Sequence, residues 1–170
     1  MVKIEVLNKT HDRDNFDCGV QELNQYLKKI ARQHTVKGIS KSFVLLESAQ
    51  PTQILGFFTL TFCEVQASDL PAKHAKKYPS KIPAAKLGRL AVSKNVQRQG
   101  LGQVMMIDAI QKTLRVAQNI GIIGFFVDAK DSKAEMYYKQ FGFISMPNNS
   151  LQLFFPISTL QQNFSLDEVT

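Results

Sequence analysis

The sequence has no tryptophan, two cysteines and three histidines in 170 residues, and each scarcity removes a class of function. Cys18 and Cys63 stand far apart without a Cys-x-x-Cys or His-x-x-x-His companion, so neither a zinc site nor a disulfide framework is indicated, and both are read as buried thiols. His11, His34 and His74 are equally scattered. No Ser/His/Asp or Cys/His set can be assembled from them, and nothing calls for a metal. No apolar run approaches the roughly 20 residues that a membrane span needs. Met1 leads directly into Val2-Lys3-Ile4-Glu5-Val6 without a signal-peptide pattern, so the expectation is a soluble, cytoplasmic chain with no membrane partner.

Acid is missing from a long central stretch. Residues 70–107 contain no Asp or Glu but include Lys73, Lys76, Lys77, Lys81, Lys86, Arg89, Lys94 and Arg98, and the whole chain carries +7. Such a stretch raises the local concentration of anionic ligands, whether nucleotide, coenzyme or RNA, although Lys73 to Lys81 reads equally well as a solvated loop. Repeats, low-complexity tracts and long linkers are missing as well. One domain over residues 1–170 is therefore expected, with 161–170 as a loosely ordered tail. A single domain of this length buries roughly 70% of its unfolded surface, enough for a core without staples.

Val2, Ile4 and Val6 alternate as one face of a first strand. Val20, Leu23, Leu27, Ile30, Ala31 and His34 recur at helical spacing and predict one helix, with Asp17 or Asn15 as its cap. Residues 42–46 and 54–65 predict a hairpin through 48–52, residues 70–83 a loop or short helix, and 87–92 a short strand. Over 101–119 the polar residues Asp108, Gln111, Lys112, Arg115 and Gln118 make one narrow wet stripe on a long, mostly covered helix. A central strand at 122–127, a short helix at 132–140 and a closing hairpin of 143–146 and 151–155 complete the pattern. This order fits an α/β domain built on a mixed sheet with helices on both faces.

The strongest chemical signal is Leu87-Gly88-Arg89-Leu90-Ala91-Val92, a four-residue spacer, then Gln97-Arg98-Gln99-Gly100-Leu101-Gly102 opening the long helix. A strand, a glycine-containing turn and a helix N-terminus present unpaired N–H groups at the positive end of a helix dipole, which suits a pyrophosphate. Gly100 and Gly102 let the backbone approach, and Arg98 adds a charge-assisted contact. An ordinary strand-to-helix turn has the same local composition. The pattern is not a Walker A loop, and it lacks the Gly-x-Gly-x-x-Gly of dinucleotide folds.

Gln-Arg-Gln-Gly-Leu-Gly resembles the phosphate-binding signature of the GNAT family of N-acetyltransferases. Ala134-Glu135-Met136-Tyr137-Tyr138-Lys139-Gln140-Phe141-Gly142-Phe143 resembles the family's Ala-x-x-Phe-Tyr-x-x-x-Gly-Phe segment, with Tyr137 in place of the usual Phe. Phe16-Asp17-Cys18-Gly19, Leu23-Asn24-Gln25-Tyr26-Leu27 and Leu87-Gly88-Arg89-Leu90-Ala91-Val92 are similar to one subgroup, the acetyltransferase toxins of bacterial type II toxin-antitoxin pairs. The likeness runs over residues 2–157.

The resemblance implies a GNAT fold of six to seven strands and acetyl-CoA as cosubstrate, without a metal. It implies that Leu90, Ala91 and Val92 line the pantetheine arm, with a bulge in that strand freeing a donor for the thioester carbonyl. Gln97, Arg98, Gln99, Gly100, Leu101, Gly102 and Gln103 would hold the pyrophosphate, and Asp131, Ala134 and Tyr137 would complete the coenzyme site. Tyr138 would protonate the leaving thiolate, a phenol near pKa 10 against a thiol near 8.5; its alternative is a packed core aromatic. Glu64 stands at a strand end, a place from which some relatives draw a base directly or through water; its alternative is a surface carboxylate.

In the toxin subgroup the acceptor is the α-amine of aminoacyl-tRNA, and capping it blocks translation. Arg89, Lys28, Lys29, Arg32 and Lys86 are then the expected RNA contacts, with a framework ion pair as the alternative for Arg89. A ribbon-helix-helix antitoxin is the implied partner. A homodimer through the closing strands (Leu151, Leu153, Phe154, Phe155) is also open, as is plain core packing of those residues. Two other functions stay in view: an acetyltransferase for a small amine or protein N-terminus, and a coenzyme- or RNA-binding module without turnover.

Overall fold

The computed structural model describes residues 1–164. Its elements are β1 (Val2–Val6), α1 (Gln21–Lys29), α2 (Ala31–Lys37), β2 (Lys41–Glu47), β3 (Gln50–Gln66), α3 (Ala72–Ala75), β4 (Lys81–Val92), α4 (Leu101–Asn119), β5 (Gly124–Asp128), α5 (Ser132–Lys139), β6 (Ile144–Met146), β7 (Asn149–Pro156) and α6 (Ile157–Asn163). The strands form one sheet in the order β1-β2-β3-β4-β5-β7-β6. β4 and β5 run parallel while the pairs β1/β2, β2/β3, β5/β7 and β6/β7 are antiparallel, so the sheet is mixed. Parallel neighbours need a crossover, which α4 supplies. The α/β class read from the hydrophobic pattern is the one observed. The chain gathers into two compact units, Met1–Thr61 with Gly88–Ala109, and Phe62–Leu87 with the chain from Ile110 onward.

In the first unit the core joins Leu7, Phe16, Cys18, Tyr26, Leu27, Ala31, Val44, Leu46, Ile54, Phe57 and Ala91. Full burial of each large apolar side chain contributes about 1.5–3 kcal/mol. Two polar groups are buried together, and the Ser42 and Thr59 hydroxyls satisfy one another at 2.7 Å. The single helix predicted through His34 is instead two, α1 and α2, meeting at Ile30 (φ −119°). The bend leaves Ile30 exposed while Leu27 and Ala31 on either side are fully buried. The cap differs too: Val20 starts α1 without a side-chain cap. The Asp17 carboxylate instead accepts from Gly19 N–H and Asn24 Nδ2.

In the second unit β5 carries the packing. Phe126 pairs in register with Phe154 and stacks on it at 4.8 Å; Phe125, on the other face, pairs with Phe155. Phe143 packs against both Phe125 and Phe155. Leu153, Phe154 and Phe155 are fully buried and serve the core, while Leu151, of the same expectation, is half-buried. β4 begins at Lys81, earlier than predicted, and includes Pro83. The ladder to β5 starts at Ala85, so the missing Pro83 N–H removes no bond from it, and Pro83 O accepts from Ile123 N–H. Of the expected tail, Gln161 to Asn163 complete α6; its residues 165–170 lie outside the described residues. α4 is less covered than its narrow polar stripe implied, because Val104 and Ile107 are also exposed.

Gly142 sits at φ 113°, where a Cβ would lie 2.7 Å from Phe155 Cζ, whereas Gly100 at φ 81° has nothing within 4 Å of that position. Alanine at residue 142 therefore meets backbone strain and a clash, and at residue 100 strain alone. Denaturant unfolding is expected to show Gly142→Ala destabilised by about 3 kcal/mol and Gly100→Ala by about 1 kcal/mol. Equal losses would contradict this packing.

Candidate functional site

In the first unit the chain leaves β4 at Val92, makes a short 3₁₀ turn (Lys94–Val96) and enters α4 at Leu101. Arg98 lies at φ 63°, the one non-glycine residue with positive φ among the described residues. That conformation costs about 1–2 kcal/mol in a residue with a Cβ. Strain retained in an exposed turn is a mark of function. Turns of this kind aim successive N–H groups to one side. The helix adds more: Val104 N–H reaches Gly100 O at 3.2 Å, so the amides of Leu101, Gly102 and Gln103 precede the helical ladder. They stand at the positive end of a 19-residue helix, the donors and field that a diphosphate requires.

The turn is braced from the other side of the sequence. Gln97 Nε2 donates to Cys18 O at 3.0 Å and to Val92 O at 2.9 Å. Lys94 Nζ stands 2.9 Å from Asp17 Oδ2, and Lys94 N–H donates to Asp17 O. Lys94 first, then Gly19 and Asn24, hold the Asp17 carboxyl at about 2. Phe16-Asp17-Cys18-Gly19 thus gains a physical role as the brace of the turn. Gln97 was expected on phosphate, but both of its side-chain N–H groups are engaged with carbonyls, so only its backbone remains for that task. Val92 O, expected beside pantetheine, accepts from Gln97 and retains one lone pair.

Of the expected RNA contacts, Arg89 is half-buried on β4 and lies over Tyr26, its guanidinium carbon 3.5 Å from the ring centroid. Among the described residues no carboxylate forms an ion pair with it. Lys28 and Lys29 are exposed in the last turn of α1, and Arg32 is half-buried on α2. In the second unit Lys86 is 2.6 Å from Asp128 Oδ2 and is thereby neutralised. Lys73, Lys76, Lys77 and Lys81 are exposed.

The second unit also holds α5. Asp131, expected near the coenzyme, caps this helix by accepting from Ala134 N–H at 2.8 Å. Glu135 accepts from Ser145 Oγ at 2.8 Å and meets Lys139 at 2.9 Å, which ties α5 to β6. The Tyr137 ring packs edge-on against Tyr138 and Phe141, and Tyr138 against Phe143. Burial, with a smaller contribution from Tyr137, pushes the Tyr138 phenol up to about 12. Its ring belongs to the aromatic cluster, yet the residue is half-exposed. The hydroxyl is therefore a proton holder throughout neutral and moderately alkaline pH.

Glu64 is exposed and walls a groove of about 540 Å³ with Phe62, Lys81 and Ile120, which neither tyrosine of α5 lines. Beside it, burial raises the Cys63 thiol. No group of three His, Cys, Asp or Glu side chains able to hold a metal occurs among the described residues, and no helix of theirs is long and apolar enough to cross a membrane. Sequence reasoning missed Tyr26, Asn24 and Lys94. Tyr26 and Asn24 stand in a motif and Lys94 in the acid-free stretch, but the partners of Tyr26 and Lys94 lie far along the chain, and a motif does not state that Asn24 bonds Asp17 and Cys18.

A family model described as an acetyltransferase (GNAT) domain matches residues 17–153. A tRNA-acetylating toxin of Mycobacterium tuberculosis (strain ATCC 25618 / H37Rv) is 31% identical over 86% of this chain and 87% of its own. The structure of AtaT complexed with acetyl-methionyl-tRNAfMet superposes with a TM-score of 0.89 at 32% identity, over 97% of this chain and 100% of that one. A mutant AtaT toxin bound to the C-terminus of the antitoxin AtaR and acetyl-CoA gives 0.80 at 29% identity, over 96% and 98%.

Gln97→Glu exchanges a shared donor for an acceptor that faces two carbonyls. Calorimetric titration is expected to show acetyl-CoA Kd raised roughly tenfold in a folded variant; an unchanged Kd contradicts the brace. Because the Asp17 pKa is depressed, its contribution is complete above the ordinary carboxylate range and is lost as pH falls toward about 2. Asp17 therefore gives Kd no pH dependence between pH 5 and 8.

Proposed function

The chain belongs to the GNAT acetyltransferase family, and from that premise we propose that it transfers the acetyl group of acetyl-CoA to the α-amine of aminoacyl-tRNA, as a toxin that blocks translation. The carrying observation is the braced turn from Arg98 to Gln103 at the head of α4, with its left-handed Arg98 and Gly100 and with amides that precede the helical ladder. The named relatives support the acceptor: one is a tRNA-acetylating toxin, another a toxin held with its acetylated tRNA. The family match runs over residues of both compact units, which supports one acetyltransferase domain across the chain. A ribbon-helix-helix antitoxin is the proposed partner, supported by the AtaT–AtaR complex, and the cytoplasm the proposed site of action.

The residues present suit the cosubstrate, which supplies a thioester-activated acetyl group. The amides of Arg98 to Gln103 and the Arg98 guanidinium would hold its diphosphate; the backbone of Leu90 to Val92 would align its pantetheine arm. Tyr138 would serve the sulfur as the C–S bond breaks. With the phenol near 12 and a thiol near 8.5, full transfer is uphill by about 3.5 units, or roughly 5 kcal/mol. Tyr138 therefore acts first by donating a hydrogen bond to the developing thiolate, and the proton released by the acylated amine balances the sulfur. An α-amine near pKa 8, lowered further by esterification, asks little of a base. That suits a Glu64 set in a separate exposed groove.

Incubation with acetyl-CoA and charged tRNA is expected to yield N-acetyl-aminoacyl-tRNA; no product with any charged tRNA, alongside turnover of polyamines or peptides, refutes the acceptor. Tyr138→Phe should leave acetyl-CoA binding intact and slow transfer by about 10²–10⁴-fold, and an unchanged rate removes this donor role. Since the raised phenol pKa keeps the proton on Tyr138 until pH approaches 12, kcat is expected to show no descending limb from this residue between pH 7 and 10.

A further inference from the structure

Tyr26 and Arg89 form an arrangement that packing alone does not require. Arg89 shares a face of β4 with Ala91, two positions on, and Ala91 is buried in the core that also contains Tyr26. The Tyr26 ring is 4% exposed, lies near-parallel to Phe57 (19°, centroids 6.4 Å) and meets His34 edge-on, while its hydroxyl reaches Ser40 Oγ at 3.3 Å. The ring cannot turn, so the guanidinium 3.5 Å from its centroid rests on a fixed shelf. Among the described residues no carboxylate or carbonyl bonds that guanidinium. Stacking engages its face and leaves the in-plane N–H donors for a ligand. A flat, half-buried and unneutralised fork is matched to bidentate capture of an oxyanion.

Resting on the acceptor proposed above, we propose that Tyr26 is a positioning residue that fixes Arg89 to grip a phosphodiester beside the reacting amine. An amino acid esterified to RNA has no free carboxylate. The anion nearest its amine is then the phosphodiester of the terminal nucleotides. Arg89 adjoins Leu90 on β4, the residue whose backbone is proposed for the pantetheine arm.

Steady-state kinetics with charged tRNA test this. Tyr26→Leu and Arg89→Lys, which keeps charge but not the fork, are each expected to raise the aminoacyl-tRNA KM roughly tenfold at unchanged kcat and acetyl-CoA Kd. Tyr26→Phe keeps the ring face and restores the wild-type KM. The double variant should be no worse than Arg89→Lys alone. A wild-type KM in Arg89→Lys, or multiplying effects in the double variant, overturns the proposal, and Arg89→Lys decides it should Tyr26→Leu fail to fold. If the wild-type protein makes no N-acetyl product, the acceptor assignment has failed. Binding of uncharged tRNA then decides the shelf alone: weaker binding by Arg89→Lys upholds it, equal binding overturns it.

Discussion

The carboxamide of Gln97 is the point on which the proposed coenzyme site depends. One nitrogen donates both to Val92 O at the end of β4 and to Cys18 O ahead of α1. With the Asp17–Lys94 pair, it fixes where the strand stops and where the strained Arg98 begins. An exposed turn carrying a left-handed arginine would relax if left to itself. Held by two carbonyls and an ion pair, it keeps its shape at the start of a long helix. The ion pair is fully exposed, so its worth lies in geometry more than in stability.

Charge is distributed with similar economy. The acid-free stretch does not act as one patch, because Lys86 is neutralised by Asp128 and Lys94 by Asp17, both acids lying outside it. Arg89 and Arg98 are held by backbone and ring, the first over an aromatic face and the second in an unusual turn. Those two are suited to placing single phosphates. The exposed Lys73, Lys76, Lys77 and Lys81 are suited to a diffuse field that raises encounter rates.

Much of the fold was legible because its strongest signals are periodic. α4 runs over the predicted 101–119 because a long amphipathic pattern ends in clear punctuation at both sides. The sequence pattern failed where tertiary contacts overrode local preference. Ile30 continues a helical repeat that the chain breaks there, and it is left exposed while Leu27 and Ala31 are buried. Pro83 closed a segment read as loop or short helix, yet β4 runs through it, because its ladder to β5 starts beyond it. At the site, motif reading singled out the turn ahead of α4 and the α5 tyrosines as candidates. It could not show that Gln97 and Asp131 brace and cap, since a motif names positions and leaves their hydrogen-bond partners unstated. The rise of the Tyr138 phenol to about 12 was invisible too, because it comes from the ring's burial, with a smaller contribution from Tyr137.

A crystal structure of the protein with acetyl-CoA tests the central claim most directly. The account predicts the diphosphate seated on the amides of Arg98 to Gln103, with Gln97 still bound to Cys18 and Val92, and the thioester sulfur within hydrogen-bond reach of Tyr138 Oη. A diphosphate bound elsewhere, or a sulfur walled off from that hydroxyl, would contradict it.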